Sequence, residues 1–337
     1  MLDQLPSHAA LGLVPVLVFL LALIWFDSYK LAPLRTVLLV LVGGALVAGA
    51  CYYLNGFLLG VTHLPFGLYS RWVAPCVEES AKALVLVALF RSHRIGFVAD
   101  AAIFGFAIGT GFALFENVFY LATLDKGFLL LWFVRGFGTA FMHGGTVAVF
   151  GMMLMALDER AGKAGIVYGL PGLLLAVAVH AGFNHFLLQP VLQAVLTGGL
   201  LALLLRWAFR HSEQVVAGWL GGGLDASVEV LSLIHSGQFV GSPIGRYLGE
   251  LRSRFAGEVL ADMLCYLRLH TELAVRGKGM LMMREAGFDL PPDEEVRTRL
   301  VEMRHLEASI GRTGLAAMEP LLAKGRRDIW HLRMLSG

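Results

Sequence analysis

Charge is scarce in this sequence. Only 15% of its 337 residues are Asp, Glu, Lys or Arg, whereas 57% are hydrophobic. Soluble globular chains carry about 25% charged residues, so this composition excludes one and implies a polytopic membrane protein. Cysteine is scarcer still: Cys51, Cys76 and Cys265 form no CxxC pair, which argues against a disulfide framework or a zinc–thiolate centre. No His-Glu-x-x-His occurs, so the helix-borne ligand pair of the zincin proteases is missing. The net charge of +2 comes from the apolar half and reports topology, which leaves no case for nucleic acid as a partner. The first apolar run, about 9–26, follows a stretch without Lys or Arg and has no small-residue cleavage site. It reads as an uncleaved span and not as a signal peptide.

The few charges are unevenly spread. Residues 1–210 hold 12 Lys and Arg and 9 Asp and Glu, whereas the shorter stretch 211–337 holds 15 and 16. The fold expected is therefore all-α: a transmembrane helical bundle of about seven spans over 1–210, an interfacial helix and linker over 211–242, and a cytosolic helical domain over 243–337. The spans fall at about 9–26, 34–54, 72–90, 99–124, 129–157, 165–188 and 190–209. Gly221-Gly-Gly223 is expected to break the interfacial helix. In the C-terminal part, Leu248, Leu251, Phe255, Val259, Met263, Tyr266 and Leu273 recur at helical spacing over about 243–287. A second helix is expected after Pro291-Pro292 and a third over about 313–330, with the Glu/Arg mixture on solvated faces.

Loop charges set an expected orientation. Lys30 and Arg35, Arg91 and Arg94, Arg160 and Lys163, and Arg206 and Arg210 fall on one side, with mainly Arg71 and Lys126 on the other. By the positive-inside rule the N-terminus is outside and the C-terminus cytoplasmic, in a membrane of the bacterial inner-membrane kind.

Against this apolar background stand polar residues that hydrocarbon does not tolerate lightly. The run 71–90 is of spanning length yet carries Glu78, Glu79 and Lys82, each costing about 2.5–3.5 kcal/mol at mid-span. Lys82 is i,i+4 to Glu78 and i,i+3 to Glu79, so it can neutralise one carboxylate. The other is spare. The next span carries Glu116-Asn117, the following one Arg135, Thr139 and His143 at four-residue spacing on one expected helical face, and the sixth His180 and Asn184 one turn apart. At 1.5 Å per residue, Glu79, Glu116, His180 and, if Arg135 marks the boundary, His143 all lie roughly 10–12 Å from the outer ends of their helices. Singly, each has a bland explanation: a buried ion pair, a carbonyl-bonded histidine, an interhelical amide. Their shared depth does not.

No nucleophilic serine or cysteine is well placed among them. A carboxylate raised in pKa by apolar surroundings can act as general base on water and then protonate a leaving amine, with imidazoles stabilising the oxyanion. No cofactor is expected. A divalent metal such as zinc is the lesser reading, since His and Glu are usual ligands but Lys82 lies one turn from the glutamates. Asn184 is placed to orient His180.

The set Glu78-Glu79-Ser-Ala-Lys82, Phe-Glu116-Asn117-x-x-Tyr120, Arg135 with His143, and His180-x-x-x-Asn184 closely resembles the PrsW family of intramembrane proteases, within a wider group that includes CAAX-prenyl endopeptidases and bacteriocin-processing and immunity proteins. The resemblance spans about 75–185, with the motifs in order and in separate segments. It implies a glutamate-type protease with Glu78 and Glu79 leading, assisted by Glu116, His143 and His180 and supported by Lys82, Asn117, Arg135 and Asn184. It also implies cleavage of a membrane-anchored protein, such as an anti-sigma factor, near the extracytoplasmic side. The competing readings are a CAAX-type endopeptidase or immunity protein of the same group, a proton-coupled transporter, and a seven-span sensor.

Overall fold

The helix Val98–Thr123 is buried almost all round from Ala99 to Ala113, and its sequence explains why. Alanine, glycine, phenylalanine and isoleucine follow one another with no polar stripe, and a helix that is apolar on every side belongs inside a bundle. The computed structural model describes residues 5–124, 128–161, 166–288, 294–322 and 326–335. Among these there is no strand; the chain is helical throughout and falls into two compact units, Met1–Glu213 and Gln214–Gly337.

The first unit holds α1 (Leu5–Phe26), α2 (Leu34–Thr62), α3 (Ala74–Arg91), α4 (Val98–Thr123), α5 (Ala140–Ala161), α6 (Leu170–Asn184) and the first part of α7 (Pro190–His235). Among the described residues six helical stretches are long and apolar enough to cross a membrane: α1, α2, α4, Leu129–Arg160, Val167–Asn184 and α7. The remaining expected span, α3, is an 18-residue helix that carries Glu78, Glu79, Lys82 and Arg91. Large apolar side chains such as Leu21, Leu46, Tyr53, Leu174 and Leu200 point outward, as they do where lipid is the solvent.

Glycines set the spacing around α4. A Cβ at Gly109 would overlap the carbonyl oxygen of His143 on α5, one at Gly105 that of Val147, and one at Gly111 that of Leu41 on α2. Small residues four apart let two backbones touch, and here they bring the backbone of His143 against the central helix. Gly109→Ala is expected to force α4 and α5 apart, lower stability by about 1–3 kcal/mol and displace His143. Unchanged thermal unfolding in detergent would contradict this close packing.

Two π-helical turns interrupt the bundle. Tyr69–Val73 precedes α3, with Ala74 N–H bonded to the Tyr69 carbonyl, and Val134–Thr139 precedes α5, with Ala140 N–H bonded to that of Arg135. The first lies just before Pro75, whose ring would strike the carbonyl four residues back in an α-helix; the wider turn relieves it. The second breaks the expected α-helical face of Arg135, Thr139 and His143. Such turns gather at functional sites, and both of these flank one.

At the opposite ends of α3 and α4, Asp100 closes the start of α4. Its carboxylate accepts N–H bonds from Gly96, Phe97 and Ala101 at 2.8–2.9 Å, the usual task of an acid in the first turn.

The second unit comprises the later residues of α7 with α8 (Pro243–Glu250), α9 (Gly257–Glu285), α10 (Glu294–Met318) and α11 (Arg326–Leu335). Met263, Tyr266, Leu267, Leu273, Val296, Leu300, Met303, Ile310 and Met318 form its core. Burial and the neighbouring Glu307 carboxylate, which accepts the Tyr266 hydroxyl at 2.9 Å, push that phenol above its ordinary range.

Several expected boundaries move. The helix α7 runs unbroken through Gly221-Gly-Gly223, since glycine costs about 1 kcal/mol against alanine but keeps its N–H and does not by itself stop a helix. The single helix expected over 243–287 is two, parted by a turn at Leu251–Ser253. The third C-terminal helix starts close to where it is expected, since Gly311 (φ 70°, ψ 172°) is not helical and parts α10 into two helices, but it ends at Met318 and a further helix begins at Arg326. Pro291-Pro292, like Asp125–Gly127, Gly162 and Lys163 in the loops, lies outside the described residues.

Candidate active site

Lys82 is fully buried, and that one fact organises the site. An ammonium without water needs acceptors on every side it can reach. Its Nζ donates to Glu79 Oε1 at 2.6 Å and to His143 Nδ1 at 2.9 Å, and lies 4.6 Å from the centre of the Phe112 ring. The ambiguity of the sequence is thereby resolved in the geometry: Lys82 takes Glu79, and Glu78 is the spare carboxylate. Glu79 Oε1 also receives His180 Nδ1 at 2.7 Å. Because a carboxylate only accepts, this contact puts a proton of His180 on Nδ1, so in the neutral ring it is Nε2 that carries the lone pair. That atom faces Glu78 Oε2 at 3.9 Å.

His143 is set by the same logic in the opposite sense. Lys82 donates to its Nδ1, so its proton is on Nε2, which meets Glu116 Oε2 at 3.1 Å. Arg135 Nη2 approaches the same Glu116 oxygen at 3.4 Å, its guanidinium stacked on Tyr120 at 3.9 Å. Asn117 is buried and acts as a brace: its Oδ1 accepts from Arg135 Nε at 2.8 Å and its Nδ2 donates to the Gly12 carbonyl on α1 at 2.7 Å. The two imidazoles lie edge to face, 4.8 Å between centres. Glu78 and Glu116, with side chains 17% and 30% exposed, form the open side, whereas Glu79 at 1% is sealed.

The structure thus brings Glu78, Glu79, Lys82, Glu116, Asn117, Arg135, His143 and His180 into one network drawn from α3, α4, α5, α6 and the π turn before α5. Asn184 is the exception. Its Nδ2 donates to the Ser70 carbonyl in the other π turn at 3.0 Å, and Glu79 instead orients His180. Sequence reasoning also missed two members. Asn55 Nδ2 donates to Glu78 Oε1 at 3.2 Å, and the Tyr69 hydroxyl donates to Asn55 Oδ1 at 2.9 Å. The available signal was Asn55 itself, the one carboxamide in the apolar helix Leu34–Thr62.

The donor set suits a divalent cation. Glu78, His143 and His180 each offer a ligand atom, and the three atoms lie within 4.8 Å of one another. Carboxylate and imidazole are usual zinc ligands. The Glu79–His180 contact is the outer-shell bond that metal-ligating histidines make through their second nitrogen. Lys82, the cation that would oppose a metal here, is paired with Glu79 at 2.6 Å and also donates to His143 Nδ1 at 2.9 Å.

A family model described as the PrsW family of intramembrane metalloproteases matches residues 32–220. The chain belongs to that family. The match covers more than half of the sequence and includes α2 through most of the helix after α6, hence every residue of the network except Gly12. No curated protein and no solved structure matches the chain. Family and apolar helices together make this an integral membrane protein and an intramembrane protease.

Proposed function

We propose that the network hydrolyses a peptide bond in a membrane-anchored protein near the extracytoplasmic side, with a divalent metal held by Glu78, His143 and His180. A single-span regulator such as an anti-sigma factor is the class of substrate in view. The observation that carries the reading is the convergence of those three ligand atoms within 4.8 Å, beside the partly open carboxylate of Glu116. A bound metal supplies Lewis acidity and lowers the pKa of water. Two observations favour this reading over a metal-free glutamate site: Lys82 is paired with Glu79, and three separate helices bring the candidate ligands together.

Each protein group then has a task. Glu78 is the anionic ligand. His180 presents Nε2 because Glu79 holds the proton on Nδ1. His143 can serve as a ligand only through a ring nitrogen that carries no proton, so metal affinity falls as pH falls. Glu116, the most open carboxylate, takes a proton from the attacking water and returns it to the leaving amine. Arg135 and Asn117 hold it in place.

The test is cleavage of single-span substrates by the protein in proteoliposomes, with metal content measured on the same preparation. About one zinc-class ion per chain is expected, with cleavage falling about 100-fold or more on chelation and returning with added metal. Activity that survives complete removal of metal would sink the metal reading and restore water activated by Glu78 or Glu116 alone.

Orientation is tested separately. The charge of the loops supports a reading with the N-terminus outside and the C-terminus in the cytoplasm, in a bacterial inner membrane. A cysteine at Lys126 should react with a membrane-impermeant thiol reagent from outside and one at Gly162 should not, both positions lying outside the described residues. The reverse labelling would put the network in the inner leaflet and remove the case for extracytoplasmic cleavage.

A further inference from the structure

We propose that Asn55 and Tyr69 are positioning residues that aim Glu78 at the metal, an inference that rests on the metal reading above. Neither residue belongs to the motifs in α3 to α6; Asn55 is on α2 and Tyr69 in the π turn before α3. Their geometry is a chain of two donors. The Tyr69 hydroxyl donates to Asn55 Oδ1 at 2.9 Å, and Asn55 Nδ2 donates to Glu78 Oε1 at 3.2 Å.

The sense of each bond follows from the chemistry of the far end. An ionised carboxylate only accepts, so the amide must turn its nitrogen to Glu78; its oxygen then faces Tyr69, which must donate. Were the amide reversed, oxygen would face oxygen. The phenol is what holds the amide in the useful sense, and it is well placed to do so, since Tyr69 is itself buried and a buried phenol needs a hydrogen-bond partner. The consequence for Glu78 is directional. Oε1 is pinned by Asn55, and Oε2 faces His180 Nε2 at 3.9 Å. The two atoms that would share a cation thus lie 3.9 Å apart, His180 held through its other nitrogen by Glu79 and Glu78 through its other oxygen by Asn55. The π turn matters here, because it sets where Tyr69 lies relative to Glu78 further along the same segment.

Outer-shell partners of this kind are worth about 10- to 100-fold in metal affinity. The experiment therefore reads zinc affinity by competition with a chromophoric chelator, on full-length protein in detergent, with no substrate present. Tyr69→Phe and Asn55→Leu are each expected to weaken zinc binding by about tenfold or more. Tyr53→Phe, a change at an outward-facing tyrosine of the same helix, should leave it unchanged. Because Tyr69 acts through Asn55, the double variant should lose no more than Asn55→Leu alone, whereas two unrelated structural losses would add. Affinity that is unchanged in Tyr69→Phe, or losses that add, would overturn the proposal. Should Asn55→Leu fail to fold, Tyr69→Phe decides alone, since it removes a single oxygen. Wild-type protein that binds no zinc overturns the underlying metal reading and this inference with it; wild-type protein that binds, with both variants binding equally well, overturns the inference only.

Discussion

Glu78→Gln is expected to reduce cleavage by about three orders of magnitude while leaving the protein inserted and folded. The amide keeps the shape of the side chain and can still accept from Asn55, but it carries no charge with which to bind a cation or take a proton. Glu78 is 17% exposed and is held by the neutral Asn55 amide at 3.2 Å, so little stability should go with the charge. The loss should appear in kcat per total protein, because a site without its metal does not turn over, and residual activity should track bound metal. Glu116→Gln is a companion case, expected to cost about 10²- to 10⁴-fold as a lost proton carrier. The two differ in metal content: Glu78→Gln should lose bound metal and Glu116→Gln should keep it. Cleavage of a reconstituted single-span substrate, with metal measured alongside, checks both. If both variants cleave at the wild-type rate, the carboxylates serve packing and the site reading fails.

Much of this arrangement can be read from spacing, and the reasons it stops there are physical. Composition and period point to helices and to an apolar stretch followed by a charged one, since both depend on local sequence. Depth along a helix is also local, at 1.5 Å per residue, which is why Glu79, Glu116, His143 and His180 could be assigned one level. Which atoms then touch depends on how each helix is rotated about its axis and on close approaches such as Gly109 against the His143 carbonyl. Spacing therefore left Lys82 free to choose either glutamate, and it paired His180 with Asn184 when Glu79 is the partner. Asn55 and Tyr69 were invisible for the same reason, being remote in sequence from Glu78 or separated from it by a π turn. Gly221-Gly-Gly223 is a different case: three glycines are a local breaker signal, yet the helix continues through them because its neighbouring turns hold it.

The buried pair of Lys82 and Glu79 should separate stability from catalysis. Lys82→Met leaves the Glu79 carboxylate sealed with His180 as its remaining partner, and Glu79→Gln leaves the Lys82 ammonium sealed with His143 and an amide. Breaking a buried pair from one side costs about 3–5 kcal/mol, because a charge stays behind without its counterion. At about 2–4 °C per kcal/mol for a unit of this size, each single variant should unfold about 10 °C below wild type. The double variant Glu79→Gln/Lys82→Met has no stranded charge, and replacing both partners by neutral groups is often nearly neutral. It should therefore unfold closer to wild type than either single variant, a strongly non-additive result. Activity should not follow. In the double variant His143 Nδ1 has lost its donor and His180 faces a neutral amide in place of a carboxylate, so neither ring is held in the tautomer described above. Losses in unfolding temperature that simply add would show that Lys82 and Glu79 act independently, and the network would have to be rebuilt without their ion pair at its centre.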